Sequence, residues 1–141
     1  MKRYEFSKHT ADVAVSVYGG SLKELFTSAA LAMFGVLVSK KQNRPQADLV
    51  EVAINRSEES LEDLLKAWLD ELLFYSSSRS LVLRRIKSLD VTEEAMEAKV
   101  LFETFDKDFF EPGQEIKAVT YHELKVEKVK NGWKANIIFD V

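Results

Sequence analysis

The last turn of the chain carries the first chemical clue. Asn131-Gly132 stands between two alternating runs, residues 120–130 and 133–141. An Asn-Gly pair suits a two-residue type I′ turn, whose central residues both need positive φ. With that pair as the turn, Lys130 faces Trp133, Val126 faces Ile137 and Leu124 faces Phe139. These apolar pairs share one face, as a buried face requires. The same register sets Glu123 against Asp140 and His122 against Val141, the last residue. Asp140 and the terminal carboxylate of Val141 then lie together, with Glu123 nearby. Like charges opposed in a sheet repel. A hard divalent cation, Ca²⁺ or Mg²⁺, selects oxygen ligands and reverses that sign. The alternative from spacing alone is a frayed end with two solvated carboxylates, the commoner state of exposed charge.

A second group is His9-Thr10-Ala11-Asp12, just ahead of a strand, where loops present functional side chains. His9 suits an acid–base or metal role and Asp12 a ligand role. As plain structure, Asp12 is a turn residue and His9 an exposed one. His122 shares parity with Leu124 and Val126, which predicts a hydrogen-bonded core histidine. Other chemistries lack their motifs. No Ser sits in a G-x-S-x-G elbow, and neither a Walker A sequence nor G-x-G-x-x-G occurs. The carboxylates of residues 57–70 have no H-E-x-x-H among them and read as a solvated helix face.

The elements that must position these groups follow from periodicity. Val13, Val15 and Val17 alternate with Ala14, Ser16 and Tyr18, which predicts a half-buried strand ended by Gly19-Gly20. Ser21-x-x-Glu24 has the form of a capping box. Leu22, Leu25, Phe26, Ala29, Met33 and Leu37 then make the apolar stripe of a helix over 22–38. Residues 40–48 form a loop and 49–55 a strand. Ser60-x-x-Asp63 caps a second helix, whose stripe runs through Leu64, Leu65, Trp68 and Leu72 and which Ser76-Ser77-Ser78 stops. Residues 81–91 and 96–105 read as strands, and 106–114 as a loop carrying Phe109 and Phe110. The order strand, helix, strand, helix, four strands predicts a single α+β domain over 1–141. Its two helices pack on a mainly antiparallel sheet, and the chain closes in an Asn-Gly hairpin.

Composition narrows the class. The chain has 141 residues, 46% hydrophobic and 30% charged, enough to bury one core. It has no Cys, which excludes disulfides, thiolate metal sites and a thiol nucleophile. A net charge of −3 argues against strong autonomous nucleic-acid binding through the global field, while leaving room for a local basic patch. The apolar run 29–38 is far short of the roughly 20 residues a membrane span needs. With no secretory signal at the N-terminus, the expectation is a cytoplasmic protein without a membrane partner.

Three segments together resemble the archease family. His9-Thr10-Ala11-Asp12-Val13 is similar to its opening signature. Glu115-Ile116-Lys117-Ala118-Val119-Thr120-Tyr121-His122, with Ile137-Ile138-Phe139-Asp140-Val141, is similar to its closing one, and residues 64–74 fit its middle helix. The resemblance implies an accessory protein, not an enzyme. It would activate an RtcB-type RNA ligase of tRNA splicing, promoting guanylylation of the ligase histidine and multiple turnover, and broadening nucleotide use. The ligase would be the partner, with tRNA and GTP reached through it. The resemblance also implies a divalent metal, calcium, held by Asp12, Asp140 and Val141. Lys117, in the closing signature, is a candidate contact for phosphate or partner. Two other classes stand beside this one. One is a stand-alone metal-dependent hydrolase or nuclease on Asp12 and Asp140. The other is a chaperone-like binding module using an exposed apolar loop such as Phe109-Phe110.

Overall fold

The computed structural model describes residues 2–8, 12–45 and 47–141. Within them the order is β1 (Tyr4–Lys8), β2 (Asp12–Gly19), α1 (Leu22–Leu37), β3 (Val38–Lys40), β4 (Leu49–Ser57) and α2 (Leu61–Arg79). There follow β5 (Leu81–Val91), β6 (Ala95–Thr104), β7 (Phe110–Pro112), β8 (Ala118–Val119), β9 (Lys125–Val129) and β10 (Gly132–Asp140). Every pairing among these strands is antiparallel. The α+β class with two helices is therefore as expected, but the strands divide into three sheets. One runs β1-β2-β10-β8, with β9 also on β10; a second is β4-β6-β5; β3 and β7 form a short ribbon.

Both helices begin where the sequence placed caps. Ser21 Oγ accepts from Glu24 N–H at 3.2 Å, and the Glu24 carboxylate reaches back to Gly20 N–H at 2.6 Å. Ser60 Oγ accepts from Asp63 N–H at 3.1 Å. The expected stop at Ser76-Ser77-Ser78 is not used. Ser77 Oγ donates to the Leu73 carbonyl one turn back at 2.9 Å, so the serine satisfies itself within the helix. α2 ends at Ser80, in the left-handed region with φ 55° and ψ 43°, whose N–H bonds to the Tyr75 carbonyl.

One hydrophobic cluster joins the elements. Val15, Val17, Ile137 and Phe139 come from the first sheet, Val52, Ile54, Val100 and Phe102 from the second, and Phe26, Met33, Leu65, Trp68 and Leu72 from the helices. Trp68 is wholly buried, and its indole N–H donates to the Phe26 carbonyl of α1 at 3.0 Å. That bond gives the one polar atom of a large apolar side chain its partner. The Phe109-Phe110 loop expected to be exposed is not: Phe110 is buried in β7, and Phe109 lies half-buried with the Arg44 guanidinium 5.4 Å from its ring.

The C-terminal hairpin forms, with a different register from the one its Asn-Gly predicts. Gly132 pairs with Val129, Trp133 with Lys128 and Ala135 with Val126, so the two-residue loop is Lys130-Asn131. Among described non-glycine residues only Ser80 and Glu123 have positive φ, so Asn131 does not supply a type I′ turn. The glycine is required one step on. Gly132 has φ +149°, and a Cβ there would lie 2.2 Å from the Gly19 carbonyl oxygen. Nor is the run over 120–130 one strand. It breaks after β8 into a turn, where Leu124 N–H bonds to the Tyr121 carbonyl at 3.1 Å with Glu123 at φ 52°. Ala118, not Glu123, therefore faces Asp140, and Val119 faces Phe139.

Candidate functional site

Alternation decides which face of the first sheet carries the polar groups. Val13, Val15 and Val17 of β2 and Ala135, Ile137 and Phe139 of β10 point to the core. The even-numbered residues between them point away from it. The β2–β10 register pairs them directly: Tyr18 with Lys134, Ser16 with Asn136, Ala14 with Ile138, and Asp12 with Asp140. The first residue of β2 and the last of β10 thus bring two carboxylates, 128 positions apart in sequence, into opposed positions on the outer face. Side chains so placed have Cβ atoms about 4.5–5.5 Å apart. Both residues are half-buried.

The surroundings of Asp140 are built from the closing segment. Its carbonyl accepts from Lys117 N–H at 2.7 Å, and Ala118 flanks it on the strand opposite Asp12. Lys117 is exposed and Val141 half-buried against the core. Lys117, Asp140, Val141 and Asp12 are therefore neighbours along three adjacent strands. His9 lies outside the described residues. Glu123, expected opposite Asp140, sits instead in the turn beside β10. There it lines, with Lys125, Ser16 and Asn136, a shallow depression of about 510 Å³ on the same outer face. Its floor includes Ala14 and Ile138, the next pair along from Asp12 and Asp140. Ser16 Oγ bonds Asn136 Oδ1 across that floor at 3.0 Å. His122, expected in the core, is exposed, because the Tyr121–Leu124 turn takes it out of the strand pattern.

The donor set can be tested against a cation. Neither Asp12 nor Asp140 joins a Lys or Arg in an ion pair among the described residues. Two opposed, half-buried carboxylates without a counter-charge fit a hard, oxygen-selecting divalent ion. Among the described residues no three His, Cys, Asp or Glu side chains converge. Main-chain oxygens, such as that of Val141, and water are donors that can complete such a set. The sequence did not reveal the depression beside the pair, since its rim depends on the Glu123 turn. Glu123 at a left-handed position offered no pattern to read, because such turns ordinarily use Gly or Asn.

Comparison with known proteins bears on the whole chain. The model of the Archease protein family (MTH1598/TM1083) matches residues 4–141. "Protein archease" of Pyrococcus abyssi is 38% identical over 146 residues, covering all of both chains. That of Thermococcus kodakarensis is 37% identical, also over the full length of both. The solution structure of Methanobacterium thermoautotrophicum protein 1598 aligns over all of both chains with a TM-score of 0.79 and 32% identity. The crystal structure of a Thermotoga maritima archease, described as a possible chaperone, covers 96% of this chain and 94% of its own, with a TM-score of 0.67 and 27% identity. With the family's model spanning nearly every residue and full-length relatives well above 30% identity, the chain belongs to the archease family.

Proposed function

We propose that this protein is a non-catalytic accessory factor of an RtcB-type RNA ligase in tRNA splicing, acting in the cytoplasm. It promotes guanylylation of the ligase histidine and so sustains multiple turnover. The observation that carries the reading is the direct pairing of Asp12 with Asp140 in a chain of the archease family. Asp12, Asp140 and an oxygen of Val141 would hold the divalent ion, with calcium favoured because flexible oxygen sites of mixed carboxylate and carbonyl donors suit it. When bound, such an ion supplies positive charge against phosphate oxygens. The chain's own part is positional. The β2–β10 register fixes the two carboxylates, and the Lys117 N–H to Asp140 carbonyl bond fixes the backbone of the segment that carries Lys117. The exposed Lys117 side chain would bring its ammonium to an approaching phosphate.

The test is reconstitution. The pure protein with ligase and GTP should raise ligase guanylylation, and alone should neither cleave nor join RNA. Asp12→Ala and Asp140→Ala proteins that fold normally should fail to activate. Full activation by both would overturn the mechanism. RNA cleavage by the isolated protein, lost in the same variants, would establish the hydrolase reading instead. Lys117→Ala should keep divalent binding and lose activation; unchanged activation would remove Lys117 from the site.

A further inference from the structure

The second sheet carries a cationic feature that the metal centre does not involve. In β5, Leu83 pairs with Phe102, but Arg85 pairs with Leu101, so Arg84 is an extra residue. Ile86 pairs with Val100, but Ser88 pairs with Lys99, so Lys87 is extra as well. Two β-bulges thus change the inward spacing from two residues to three. Leu83, Ile86 and Leu89 keep to the core, and each gap shows two exposed residues, Arg84-Arg85 and Lys87-Ser88. An unbulged strand of this sequence would have had to turn Arg85 or Lys87 inward.

Bulges and cations also protect an edge strand from pairing with other chains. Arg84 has something more. Its guanidinium donates at 3.1 Å to Glu103, whose side chain is about 3% exposed, and Arg44 Nη1 lies 3.7 Å from the other Glu103 oxygen. That second oxygen, Oε1, is buried without a hydrogen bond. Arg44 Nη1 also donates to the Thr104 carbonyl at 3.2 Å. A buried carboxylate that orients two arginines, each with most of its five N–H donors left over, is a device for receiving a planar or tetrahedral oxyanion. Arg84 lines two depressions. One, of about 660 Å³, lies beside Arg44 and also bears Asp48. The other, of about 430 Å³, runs between α1 and the free edge of β5 and adds Lys23, Arg85 and Lys87 along with the exposed Leu31. Lys87 is tied to Glu51 at 2.7 Å, while Arg85 joins no ion pair among the described residues.

From this geometry we infer that the β5 edge, centred on the Glu103-held Arg84, binds the phosphate backbone of a single-stranded polynucleotide. The run of cations over successive strand positions supplies repeated phosphate contacts, as the backbone-tracking grooves of single-strand binders do. The inference is independent of the reading above, since Asp12 and Asp140 line neither depression.

The experiment is fluorescence anisotropy with a labelled single-stranded RNA of about twelve nucleotides, in EDTA to keep divalent ions out. At about 50 mM KCl binding should fall in the range of roughly 1–100 µM, and three or four contacts give a log–log salt slope of about −2 to −3. Arg85→Gln with Lys87→Gln, both exposed, should weaken binding by about tenfold or more, while Lys66→Gln on α2, which lines neither depression, should leave it unchanged. Arg84→Gln risks leaving Glu103 buried and poorly paired, so it serves only with a folding check. No binding at roughly 100 µM protein, or equal binding by the Arg85/Lys87 double variant, would overturn the proposal. So would a polyglutamate peptide that binds as tightly through the same residues, which would assign the edge to an acidic protein partner.

Discussion

Asp12 and Asp140 oppose one another with no cation beside them among the described residues, so their first measurable effect is on stability. Replacing one carboxylate by a neutral isostere removes repulsion between facing like charges. Asp140→Asn should therefore melt at or slightly above the parent temperature in EDTA. In excess Ca²⁺ the order should invert. A ligand bound only by the folded state stabilises by about 2.7 kcal/mol at a hundredfold excess over Kd, and each kcal/mol moves the melting temperature by roughly 3 °C here. The parent should rise in calcium and Asp140→Asn should not. Differential scanning calorimetry with and without EDTA reads both signs, and a parent indifferent to calcium would remove the metal from this pair.

At the level of elements, two backbone positions make opposite predictions. Gly132 combines φ +149° with a Cβ direction that runs into the Gly19 carbonyl at 2.2 Å. Backbone, not a pliable side chain, blocks it, so Gly132→Ala should cost more than about 1 kcal/mol. Because β10 is the strand that carries Asp140, the same change should weaken divalent binding. Ser80 is the converse case. It ends α2 at φ 55° and ψ 43°, where a Cβ is a penalty, and Ser80→Gly should stabilise by up to about 1 kcal/mol. Urea titration of the two variants against the parent should show midpoints displaced in opposite directions.

For the whole molecule, the helices matter as the layer common to both sheets. α1 packs on β2, β10 and β5, and α2 on β4, β6 and β8, so neither sheet buries its inner face without them. Trp68 sits at that junction, fully buried and bonded to Phe26 of the other helix. Trp68→Ala should cost about 3–5 kcal/mol, a large part of the 5–15 kcal/mol typical of a domain. Ligase activation per folded molecule should persist at low temperature, because Trp68 touches none of the outer-face groups. A variant with parental stability would mean that the core collapses around the void.

The sequence determined what depends on neighbours along the chain. The two Ser caps, the apolar stripes ending in Trp68 and Leu72, the Val13-Val15-Val17 alternation and the terminal hairpin are short-range patterns, and each formed. The grouping of Asp12 with the chain's end was legible only through the family signatures, since no local rule joins residues 128 positions apart. Tertiary structure decided the rest. Gly132 works as a strand residue because Gly19, far away in sequence, presses against it, so the hairpin shifts by two positions and Ala118 replaces Glu123 opposite Asp140. Edge strand β1 and the β3–β7 ribbon exist because partners lie beside them, and residues as few as three long carry no periodicity to read. The two bulges of β5 were equally unreadable. That Arg84 and Arg85 are both exposed is settled by the pairing with β6 and by the buried Glu103, and both are contacts between segments that only the folded chain brings together.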